Sequence, residues 1–64
     1  MADFTVRDEG SIILFTPNTT AAKAWLEDNV SEDAMYFGPA LCVEHRFAEN
    51  LLEGICEAGY DWTM

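Results

Sequence analysis

Apolar and polar positions alternate at the start of the chain. Phe4 and Val6 are separated by Thr5 and followed by Arg7, the two-residue period of a half-buried strand. Asp8-Glu9-Gly10 then supplies turn chemistry, since glycine accepts a positive φ without penalty. Ser11 to Thr16 is a β-branched and aromatic run closed by Pro17, and the short gap predicts a hairpin with the first strand. Pro17-Asn18-Thr19-Thr20 holds several possible helix N-caps. Ala21, Ala22, Trp25 and Leu26 then form one apolar stripe of a helix through about Asn29, which Val30 can close. Ser31-Glu32-Asp33 reads as a connecting turn.

The second half repeats the logic. Tyr36-Phe37 leads into a Gly38-Pro39 bend, where proline has no ladder donor. Ala40 to Glu44 predicts a third strand, with Leu41 and Val43 on one face and Cys42 and Glu44 on the other. Phe47, Leu51 and Ile55, with Leu52 beside them, mark a second amphipathic helix that stops at Gly59, a natural C′ residue. Tyr60 to Thr63 alternates again and adds a last short strand. The predicted order is β-β-α-β-α-β. Such a chain forms a two-layer α+β domain spanning 1–64, with both helices on one face of a mainly antiparallel or mixed sheet. Ile12 and Leu14 are apolar as well as Ile13 and Phe15, so the second strand should be central and leave apolar surface on the helix-free face.

Length limits what such a domain can do. At 64 residues it supports one modest core and no deep cleft. Hydrophobic residues make up 50% of the chain, which excludes a disordered polymer. The charge is lopsided, with 12 Asp and Glu against 3 Lys and Arg, a net −9. Direct nucleic-acid binding and attraction to an anionic membrane both require the opposite sign. The first residues lack the basic and apolar regions of a signal peptide. Unbroken apolar runs such as Ile12 to Phe15 are far below the ~20 residues that span a bilayer. A cytoplasmic, reduced protein is expected, with Cys42 and Cys56 as small buried hydrophobes and no disulfide.

The catalytic inventory is poor. His45 is the one histidine, flanked by Glu44 and Arg46, and has no Cys or His at ligand spacing for a metal. On a continuous strand Cys42 and His45 would face opposite ways, so they are no nucleophile pair. The carboxylates lack a pocket that would shift their pKa values. A hydrolase or redox enzyme built on Cys42 or Cys56 is therefore the weakest reading. Neither enzyme activity, nor a cofactor, nor a metal is expected. Trp25 and Phe47 read as core anchors, while Tyr36, Phe37, Tyr60 and Trp62 sit near strand ends where rings are half-exposed. Gly54, inside a helix, implies close packing of that helix on the sheet.

Placement of the acids is more informative. Glu27, Asp28, Glu32, Asp33 and Glu44 fall in a stretch from Ala24 to His45 without Lys or Arg. Glu49, Glu53, Glu57 and Asp61 fall in a second such stretch, from Phe47 onward. Glu49, Glu53 and Glu57 recur every four residues and stack along one edge of the second helix. Like charges at that spacing destabilise a helix by roughly 0.2–0.5 kcal/mol per pair. Glu57 also lies near the negative end of the helix dipole. The arrangement works slightly against the fold. It suits a solvated face, or a surface imitating nucleic acid. Four helical residues rise about 6 Å, close to two phosphate steps of about 3.4 Å along one DNA strand.

The run Phe4-x-Val6-x-x-x-Gly10-Ser11-Ile12-x-Leu14-Phe15-x-Pro17 is similar to the opening of a group of very small proteins from bacterial and mobile-element genomes. So are Ala22-x-x-Trp25-Leu26, Val43-Glu44-His45-Arg46-Phe47 and Leu51-Leu52-Glu53-Gly54-Ile55. Across nearly its whole length the chain resembles the small acidic anti-CRISPR proteins of phages and mobile elements, in particular an inhibitor of type I-C systems. The resemblance implies a stoichiometric inhibitor that binds the DNA-surveying Cascade complex; a monomer in the bacterial cytoplasm, bound to one Cascade subunit, is expected. The contact residues expected on a basic partner groove are Glu27, Asp28, Glu32, Asp33, Glu49, Glu53, Glu57 and Asp61. The competing reading is a small regulatory or accessory protein whose host partner does not handle DNA, or a simple structural domain.

Overall fold

The computed structural model describes residues 2–30 and 34–64. Strand β1 (Phe4–Asp8) pairs antiparallel with β2 (Ile12–Pro17) through a tight turn. In that turn the Gly10 N–H donates to Asp8 Oδ1 (2.9 Å) and Gly10 has φ 94°, a conformation glycine alone adopts cheaply. Helix α1 (Thr20–Asn29) starts at Thr19, whose hydroxyl accepts from the Ala22 N–H at 3.0 Å, as a side-chain N-cap should. Val30 ends it as the C-cap and packs on the core. The predicted turn at residues 31–33 lies outside the described residues.

Strand β3 (Met35–Phe37) and strand β4 (Ala40–Glu44) form a second antiparallel hairpin around Gly38-Pro39. Gly38 has φ 62°, and glycine at the first of two central residues is the preference of a type II′ turn. The predicted bend is therefore flanked by strand on both sides. Helix α2 (His45–Glu57) follows β4 without a linker and ends in a Schellman motif. There the Tyr60 N–H donates to the Ile55 carbonyl (3.0 Å) and the Gly59 N–H to the Cys56 carbonyl (3.1 Å). Gly59 has the positive φ (87°) that this motif requires. Strand β5 (Trp62–Thr63) then adds parallel to β1.

The sheet order is β3-β4-β2-β1-β5, so β2 is the central strand, and the single parallel pair makes the sheet mixed. Alternation sends Phe4 and Val6, Ile13 and Phe15, and Leu41 and Val43 to one face, where Ala22 and Leu26 of α1 and Ala48 and Ile55 of α2 close over them. Phe4, Phe15, Leu26 and Ile55 are fully buried. Trp25, Tyr60 and Phe4 meet edge-on, with ring centroids 6.0–6.1 Å apart. This is the expected α+β domain, with both helices on one face.

Three expectations need correction. Phe47 is not a core anchor but 51% exposed. The inward positions of α2 are Ala48, Leu51, Leu52 and Ile55, which places Phe47 on the helix flank, beneath the Arg46 guanidinium at 4.8 Å. Cys56, one residue past Ile55, turns outward and is exposed, whereas Cys42 is half-buried; both are free thiols. Gly54 faces α1 rather than the sheet, since a Cβ there would meet the Trp25 ring at 3.5 Å.

Candidate functional site

Glu49, Glu53 and Glu57 are all exposed on α2, which buries Ala48 and Ile55 on its opposite side. Each four-residue step rotates about 40° and rises about 6 Å, so the three carboxylates trace a shallow diagonal about 12 Å long. Gly54 lies against Trp25 of α1. At 100° per residue, Glu49 and Glu53 point away from that helix contact and Glu57 crosses the outer crest. The α2 row is the one group of predicted residues that the fold aligns on a single element.

The remaining acids are distributed differently. Glu27 and Asp28 are both exposed on α1, but adjacent helical positions diverge by about 100°. Glu27 lines an open groove of about 620 Å³ with Lys23, Thr20, Tyr36 and Pro39. Asp61 is tied to the opposite sheet edge. Its N–H donates to Asp3 Oδ2 (3.0 Å), and its carbonyl accepts from the Phe4 N–H (3.0 Å). Glu32 and Asp33 lie outside the described residues.

Ion pairing leaves these acids free among the described residues. The pairs there are Arg7 with Glu9 (2.9 Å), Arg46 with Glu44 (3.4 Å) and, when the ring is protonated, His45 with Asp8 (3.5 Å). None involves Glu27, Asp28, Glu49, Glu53, Glu57 or Asp61. The cations that are paired neutralise acids of the β1–β2 turn and the end of β4, leaving the outer side of α2 negative beyond Arg46, which lies one turn ahead of Glu49. His45 is the first residue of α2, and its Nε2 is hydrogen-bonded to the Gly10 carbonyl, fastening the start of α2 to the β1–β2 turn. That is a structural role. Among the described residues no group of three or more His, Cys, Asp or Glu is placed to hold a metal ion. No described helix is long and apolar enough to cross a membrane.

One region lies outside the predicted acidic contact residues, although Phe37 is among the aromatics expected to be half-exposed near strand ends. Met35 and Phe37 on the edge strand β3 are 72% and 74% exposed, on the sheet face that carries no helix. The apolar character of Ile12 and Leu14 was a partial signal for that surface. Comparisons of the chain with protein-family models, with curated proteins and with solved structures gave no match.

Proposed function

We propose that this chain is a small inhibitor that acts by binding rather than by catalysis, an anti-CRISPR protein presenting carboxylates to the basic DNA-binding groove of a Cascade-type complex. The observation that carries the reading is the exposed Glu49–Glu53–Glu57 row, unpaired among the described residues and set on one 13-residue helix. Folding alone favours Lys or Arg at one of these positions. The row's rise of about 6 Å per residue pair is close to two axial phosphate steps of about 3.4 Å. Its charges lie on the outer side of a packed two-layer domain, where the net −9 speeds encounter with a cationic groove. Glu27, Asp28 and Asp61, with Glu32 and Asp33, extend the negative field around the row.

The test is direct binding to a purified type I-C surveillance complex, with a labelled target duplex as competitor. The reading predicts a stoichiometric complex in which protein and duplex exclude each other. Simultaneous binding of both overturns the mimicry. Failure to bind, with capture of a host protein that does not handle DNA, favours the regulatory reading instead.

A further inference from the structure

We draw no further inference here: the strongest candidate, the open groove of about 620 Å³ between the start of α1 and the β3–β4 turn, rests on a helix N-terminus and the exposed Lys23, and among the described residues no buried, unpartnered polar side chain points to a ligand there.

Discussion

Two glycines near the end of α2 have opposite reasons to be there. Gly54 is helical, and the nearest neighbour of an added Cβ is the Trp25 ring at 3.5 Å, an ordinary contact distance. Gly54→Ala should therefore raise stability by up to about 1 kcal/mol through helix propensity. Gly59 has φ 87° in open space, so steric room is no help to a side chain there. Gly59→Ala should lower stability by about 1 kcal/mol, because the left-handed conformation penalises a Cβ. Urea unfolding of the two variants beside wild type measures both, and the prediction is that the midpoints move in opposite directions. At the same scale, Glu44 caps α2 without a side-chain hydrogen bond. Glu44→Ser supplies one and should add about 0.5–1 kcal/mol in the same urea titration, because the exposed pair with Arg46 that it removes is worth little.

At the scale of elements, α2 holds two loads at once: a buried stripe that fastens it to the sheet and an acidic edge that does not. Replacing Glu49, Glu53 and Glu57 together by Gln removes two like-charge contacts at four-residue spacing and leaves the stripe intact. The melting temperature should hold, or stability rise by up to about 1 kcal/mol. The acidic edge was legible from the sequence because charge spacing on a long helix needs no tertiary information. Both helices and the β1–β2 hairpin were legible for similar reasons, through Thr19, Gly10 and Gly59. Strand β3 was not, since three residues before Gly38-Pro39 are too few to show a period. The inward set of α2 was misread at Phe47 because a large aromatic outweighs Ala48 in any apolar pattern, yet the small Ala48 is the residue that fits against the sheet. Beyond the central place of β2, strand order was out of reach as well, because β1 gains β5 as a parallel neighbour through contacts distant in sequence. The apolar helix-free face and a half-exposed Phe37 were thus legible in the sequence, whereas the place of Met35 on an edge strand emerged with the fold.

On the scale of the whole molecule, the acidic surface predicts a salt response. Partner binding through α2 should weaken at least tenfold between about 50 mM and 200 mM salt, as contacts between exposed charges are screened. Isothermal titration at several salt concentrations reads that slope, and a flat response would assign the interface to apolar surface instead. In the proposed function the α2 carboxylates carry inhibition. Its most direct test is phage plaquing on a CRISPR-immune host that expresses the Glu49→Gln, Glu53→Gln, Glu57→Gln variant, beside a melting curve of the same protein. The variant should melt at or above the wild-type temperature and no longer permit plaques, because a Lys and Arg groove meets neutral amides. A well-folded variant that still restores plaquing to the wild-type level would contradict it.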